Sequence, residues 1–289
     1  MANTIITPEV VAREALMQLT NNAVMSKLVH RDYSSEFVAG VGDVVNIRKP
    51  ATFIAKDFVT EIEIQDANEA SVPIKMDKHY DVSFKVTSKE MAMSIEDFSK
   101  QLIKPAMLAF NDKIDADLIA LHSKITNTVD MTGDAFAPAD LIKARKHIVN
   151  AGAPTTNRYA VIGTEAEADL LNTELFVSAE KVGDEGTALR EASLGRKFGL
   201  DIYTDQNIKK GSAYTPNLVF HKNAFAFVTR PLALPQGAGK AAIMNYNGYG
   251  LRVVFGYDVN TKVDTVSIDM ICGMAVLDKS LAAVIKDAR

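Results

Sequence analysis

From Ser71 to Ser88 the chain alternates between two kinds of side chain. The even positions Val72, Ile74, Met76, Tyr80, Val82, Phe84 and Val86 are apolar, with Lys78 the exception; the odd positions are polar or proline. A period of two predicts a half-buried β-strand. Globular strands usually stop near 5–6 residues, so this one predicts an unusually long element with an apolar face in need of cover. The preceding GVGDVVNIRKP, Gly40–Pro50, predicts a turn and a strand near 44–54. Between them lies an acidic stretch with Asp57, Glu61, Glu63, Asp66 and Glu69. The simplest topology is an extended hairpin with an acidic distal region.

The pattern then changes period. Ile103, Met107, Phe110, Ile114, Leu118, Leu121 and Ile125 step by three or four and make one apolar helical stripe. Ser94 with Asp97 resembles a capping box. The helix is predicted over Ile95–Ile125, with Pro105 kinking its first turns. Upstream, Thr7-Pro8 predicts a capped helix over 8–28, with Asn21 and Asn22 as its weak point.

Beyond Pro138 the elements shorten. Helices are predicted at Ala139–Asn150, Glu165–Asn172 and Glu185–Ser193. Strands are predicted at RYAVIGT, KFGLDIYT, NLVFH and AFAFVTR. Gly250–Asn260 and Val263–Leu277 read as an antiparallel pair, and the final SLAAVIKDAR as a short helix or tail.

A compact chain of 289 residues has a radius of gyration of roughly 19 Å, about 50 Å across as a solid ball. The strand from Ile74 to Ser88 would be about 50 Å long, and the helix Ile95–Ile125 about 46 Å. Either would cross the whole ball. The pair reads as a long arm on a long spine, with an apolar face that a second copy would cover.

Composition narrows the function. With 47% hydrophobic and 24% charged residues the chain is ordinary for a soluble protein, and its net charge of −4 does not suggest a nucleic-acid binder. The sole cysteine, Cys272, lies in an apolar run and reads as a small buried hydrophobe. No signal peptide or membrane-spanning stretch is expected. His30, His79, His122, His147 and His221 lack metal-ligand spacing. GAGKAA, Gly237–Ala242, lacks the spacing of a phosphate loop and reads as a flexible loop. In GTEAEAD, Glu165 and Asp169 share a helix face, as a solvated first turn would place them. No catalytic, cofactor or metal residues are predicted. A carboxylate-based enzyme stays as the alternative of a different class.

The order of parts resembles the major capsid proteins of tailed bacteriophages with the HK97-type fold, and among them the P22 coat protein group. Tyr159–Ile208 and Gly248–Leu277 carry the likeness. The first segment is similar in its strand, "T-E" helix, "ALRE" helix and "G-R-x-x-G" before a strand. The resemblance implies an α+β fold with an N-terminal arm or helix at 1–39 and an extended loop at 40–90. The peripheral domain would comprise 91–126 and 246–289, and the axial domain 127–245. It implies hexamers and pentamers closing into an icosahedral shell around double-stranded DNA without sequence-specific binding. It also implies a virion component assembled in the host cytoplasm, with portal and decoration proteins as partners. The chain is too short for the inserted domain of the P22 protein and shows no long helical N-terminal extension, so a separate scaffolding protein is expected. The Lys–Asn cross-link of the HK97 namesake has no identifiable counterpart. An encapsulin-like compartment would keep the fold and change the cargo. Contacts between copies are expected from Asp57, Glu61 and Glu63, with Arg48, Lys49, Lys75, Lys78 and Lys85 as candidate cations on the arm.

Overall fold

A computed structural model describes residues 7–31, 44–48, 55, 71–86, 99–177, 194–211, 213–237, 240–246, 248–259 and 263–289. The acidic stretch 57–69, the Ser94 cap and the Glu185–Ser193 helix lie outside the described residues.

Helix α1 spans Pro8–Asn22, with the Thr7 hydroxyl accepting the Val10 N–H at 3.5 Å. It buries Val11, Ala12, Ala15, Leu16 and Leu19. The predicted helix to residue 28 breaks after Asn22: Ala23 is extended, with ψ 135°, and a short helix α2 follows at Met25–Leu28. No side chain of α2's own cap satisfies its first amides. Asp115 does so from another helix, accepting the Val24 N–H at 3.3 Å and the Ser26 N–H at 3.2 Å.

That other helix is the spine. It runs as a π-helical turn at Ser99–Ile103, an α-helix (α3) at Lys104–Ile119 and a 3₁₀ turn at Ala120–Lys124. Pro105 has no N–H to give the preceding turn, and the wider π ladder stands immediately before it. The interruption predicted at this proline is therefore a change of ladder. Ile103, Met107, Phe110, Ile114, Leu118, Leu121 and Ile125 are all buried.

The long alternating segment is two strands. β1 (Val44–Arg48) pairs antiparallel with β2 (Ser71–Lys75), from Val44 opposite Lys75 to Arg48 opposite Ser71. After Met76 and Asp77 the chain continues as β3 (Lys78–Val86) and changes sheet. β3 pairs with β12, the 14-residue strand Val263–Val276. β11 (Tyr249–Asp258) takes the other edge of β12, and β10 (Lys240–Tyr246) lies beyond it. β9 (Phe225–Arg230) completes this five-stranded sheet on the far part of β12, from Ile271 to Val276. On the β11 edge, β9 takes over from Ile271, while on the opposite edge the β3 pairing ends at Cys272, where the arm strand leaves the sheet.

The apolar face of the described arm residues meets its own chain first. Tyr80, Val82 and Phe84, half-buried, pack on the main core with α1 and the spine. Ile74 and Met76 are buried with Val45, Ile47, Ala226, Val228 and Leu277. β12 is long enough to hold β3 while β2 crosses it. Gly273 makes the crossing possible: a Cβ there would stand 2.6 Å from the Lys75 carbonyl oxygen and 2.9 Å from Ile74 Cγ2.

A six-stranded mixed sheet forms the second layer, in the order β4 (Thr128–Asp130), β13 (Ala282–Asp287), β8 (Thr215–His221), β5 (Arg158–Ile162), β7 (Leu200–Thr204), β6 (Arg196–Lys197). Helix α4 (Pro138–Asn150) covers one face. The α5 (Thr164–Leu171) and α6 (Glu174–Val177) helices follow β5. KFGLDIYT is a tight hairpin; Phe198 (φ 54°) and Gly199 (φ 73°) form its two-residue turn. SLAAVIKDAR, expected as helix or tail, holds β13 in the middle of this sheet. Ala282–Ile285 are buried on both faces, which erases the alternation that marks a strand. Lys240–Ala242 of the expected flexible loop lie in β10. Sheet membership crosses residue 245: β9 and β10 sit with β11 and β12, while β13 sits with β4 and β8. One core joins α1, the spine, the five-stranded sheet and Val161, Leu218, Phe220 and Val284 of the other sheet.

Two predictions follow from these packings. Gly273→Val places branched carbon where the Lys75 carbonyl stands; it should lower the unfolding free energy in urea by about 1–3 kcal/mol, and an unchanged midpoint would contradict the crossing. Burial, then the neighbouring Asp205 carboxyl, push Asp115 up to about 7. The folded chain therefore keeps a proton on Asp115 that the unfolded chain releases near pH 4, so stability falls as pH rises from about 4 to about 7. Wild type should be about 1–3 kcal/mol less stable at about pH 8 than at about pH 5.5, and Asp115→Asn should lose much of that difference. A variant that keeps the full pH slope would refute the assignment.

Candidate assembly surfaces

The root of the arm is held by packing and by one carboxylate. Asp117 of the spine accepts from Lys78 Nζ at 2.8 Å and, through a short hydrogen bond, from the Tyr80 hydroxyl. Lys113, one turn back, adds a contact at 3.4 Å. Burial alone would raise the Asp117 pKa, but the bonds from Lys78 and Tyr80 outweigh it and hold the carboxyl below its usual range. Burial, then Asp117, push the Tyr80 hydroxyl well above the ordinary phenol value. The Lys78 side chain is 36% exposed, so its ion pair contributes no more than about 1 kcal/mol. A fully buried large apolar side chain contributes about 1.5–3 kcal/mol, and the half-buried Tyr80, Val82 and Phe84 each contribute a part of that. Together with the fully buried Val86 they outweigh the ion pair, and Asp117 fixes the register. Cys272 lies under Tyr80; burial pushes its thiol up to about 12, as befits a packing residue.

The sequence-predicted contact residues divide into three groups. Lys75 and Lys85 are exposed on β2 and β3. Lys78 has its ammonium on Asp117 of the same chain. Arg48 pairs through its backbone with Ser71, while Lys49, Asp57, Glu61 and Glu63 lie outside the described residues. Sequence reasoning missed Asp115 and Asp117. A signal existed for Asp115: Asn111, Asp115 and Leu118 follow helical spacing on the flank of the apolar stripe, so polar groups there are buried. Asn111 is buried and donates to the Leu19 carbonyl at 3.1 Å, closing the end of α1.

The opposite face of the five-stranded sheet is polar. Arg252 makes two bonds to Asp269, one of them 2.9 Å, and donates to the Ala233 carbonyl at 2.6 Å. His79 meets Asp269 at 3.1 Å, and Ser267 donates to Asp81 at 2.7 Å. Exposed apolar side chains gather elsewhere. Tyr257 and Val259 stand at the end of β11. A groove of about 450 Å³ between α1 and β10 is lined by Arg13, Leu16, Met17, Met244 and Asn245.

Reaction chemistry is thin. Among the described residues no group of His, Cys, Asp and Glu could hold a metal ion, and no helix is long and apolar enough to cross a membrane. His221 accepts the Asn223 N–H at 3.2 Å, and His122 Nδ1 lies 2.9 Å from the Ile119 carbonyl, both local capping contacts. Asp169, expected as a solvated first-turn acid, instead accepts the Phe136 N–H at 2.7 Å and pairs with Arg289 at 2.7 Å. It fastens α5 to the end of the chain beyond β13.

No protein-family model matches the chain, and no curated protein matches it. Solved structures do. A structure from Mycobacterium phage Che8 aligns over 91% of this chain and 91% of its own, with a TM-score of 0.64 and 21% identity. The capsid structure of cyanophage P-SCSP1u covers 85% and 84%, with a TM-score of 0.59 and 13% identity. A virus-like particle from Pyrococcus furiosus covers 96% and 98%, with a TM-score of 0.54 and 12% identity. At these identities the likeness is one of architecture, and it extends nearly end to end: the chain has an α+β fold of the HK97-like phage capsid type.

Proposed function

We propose that this chain is the major capsid protein of a tailed bacteriophage, a structural component of the virion rather than an enzyme. The observation that carries the reading is the end-to-end likeness to capsid and particle structures, with 82–98% of those chains covered in the cyanophage, PhiM1 and Pyrococcus furiosus cases. Copies would form hexamers and pentamers and close into an icosahedral shell around double-stranded DNA. A net charge of −4 suits a wall that does not bind its contents tightly. Individual contacts can be weak, because a closed lattice multiplies them. Kinship with the P22 coat group rests on the order of elements. A separate scaffolding protein, a portal and decoration proteins are the partners this reading calls for, with assembly in the host cytoplasm. The anchored β1–β2 pair supports a role for residues 40–90 as the loop that reaches a neighbouring subunit, with the acidic 57–69 stretch meeting cations there.

A shell for protein cargo is the second reading; it keeps the fold and changes only what is enclosed, and the likeness to the Pyrococcus furiosus virus-like particle does not separate the two. Expression alone and with a candidate scaffold, followed by negative-stain electron microscopy, tests both. Closed shells, tubes or sheets are expected; nucleic acid inside separates virion from cargo compartment. Only small particles under both conditions would overturn the shell reading. Asp57→Lys, Glu61→Lys and Glu63→Lys together should lower shell yield while leaving the melting temperature of the unassembled protein unchanged. Full yield from the triple variant would remove the acidic stretch from the contact.

A further inference from the structure

Where α4 ends against the six-stranded sheet, two arginines come together with no carboxylate bound to either among the described residues. Arg158 opens β5 and stands opposite His221 in β8. Strand alternation puts both on the face that carries Ala160 and Val219, the face packed by Leu141, Ala144 and Ile148 of α4. Arg158 is only 4% exposed. Its guanidinium donates from Nε to the Pro154 carbonyl and from Nη2 to the Ala153 carbonyl, both at 2.6 Å. These carbonyls belong to the turn after α4, so the arginine closes that helix end, yet no carboxylate reaches it among the described residues. A buried charge ordinarily has an opposite partner.

The charged neighbour is another cation. Burial, then Arg145 of α4, lower the Arg158 pKa. Arg145 has its own Nε buried with no hydrogen-bond partner. The turn at Gly199 backs its guanidinium: a Cβ there would stand 3.8 Å from Nε and from Nη2. His221 uses Nδ1 to accept the Asn223 N–H, so in its neutral form Nε2 carries the proton, and the Thr156 backbone takes it; the histidine is satisfied by its own chain. Asp201, the nearest acid on the adjoining strand, is in register with Tyr159 and so lies on the opposite face, where it pairs with Arg196 at 3.6 Å.

The geometry points to an oxyanion site at this end of the sheet, a phosphate or carboxylate group held between the guanidiniums of Arg145 and Arg158. Arg145 offers a planar fork that matches such a group, and Arg158 the Nη1 that its two carbonyl bonds leave. An anion there would give the Arg145 Nε a partner and cancel the repulsion between the two arginines. Phosphate from solution and a carboxylate of a neighbouring copy share this chemistry.

Unassembled wild-type protein and Arg145→Gln are melted in sodium phosphate and in sodium chloride, at equal ionic strength and pH. Wild type should gain roughly 3 °C from phosphate at about tenfold its dissociation constant, and the variant nothing beyond chloride. In chloride the variant should melt no lower than wild type, since removing a like charge relieves Arg158. Equal phosphate responses in the two proteins, or no difference between the salts, would overturn the site and leave Arg158 as a helix cap alone. A second arm identifies the source in shells prepared without phosphate. Density joining Arg145 to an acid of the next copy assigns a protein carboxylate. Separate density lost on dialysis assigns a free anion, and guanidiniums turned apart with nothing between them count against the site. Only this second arm rests on the shell reading; the melting comparison stands without it.

Discussion

The edge of one strand organises the molecule. β12 spans 14 residues and has more edge than one partner can fill. One side is shared by β11, up to Asp269, and β9, from Ile271 on, while β3 takes the other as far as Cys272. Beyond Cys272 the arm does not continue along that edge. The arm crosses over β12 instead, and the crossing is close enough that only the hydrogen of Gly273 fits beneath Lys75 and Ile74. The apolar positions of β2 and β3 stay in phase across the break, so one alternating segment supplies two cores.

The helical layer is tied to this sheet and to the N-terminal helices by polar groups of the spine. Asp117 holds the root of β3, Asp115 caps α2, and Asn111 closes α1. Each replaces water at backbone or side-chain donors that packing has sealed off, which is why buried polar groups on a helix this apolar are tolerated. Asp115 is the costly one. It sits beside Asp205, also buried and also raised in pKa by that burial, with one oxygen lacking a partner. The root of the arm is thus fastened by groups of its own chain.

The sequence was most legible where one face is buried and the other wet. The period-two run placed β2 and β3, and the stripe from Ile103 to Ile125 placed the spine, because both elements contrast core with solvent. It was least legible where that contrast vanishes. β13 is covered on both sides, so AAVI carries no alternation and resembles a helical segment. The break at Met76–Asp77 left no mark because the alternation runs through it; it goes with β2 crossing Gly273 and packing on Ala226 and Val228 of β9, more than a hundred residues away. The length argument overreached for the same reason: strand and helix were measured as straight rods, whereas the strand bends at Met76 and the helix changes ladder at Pro105. The polar ties were hidden because Asp115 and Asp117 look like ordinary helix-surface acids until their donors on α2 and β3 are in place. Arg145 and Arg158, separated by a turn in the chain, came together only through the packing of α4 on the face of β5 and β8.

Amide hydrogen exchange on the unassembled protein tests the central claim, that the arm root is folded onto β12 before any neighbour arrives. The account predicts that amides of Tyr80–Val86 and Val266–Cys272 exchange slowly and together, with protection approaching that of the spine. Fast exchange in β3 that slows only when shells form would show that a second copy is what covers the strand.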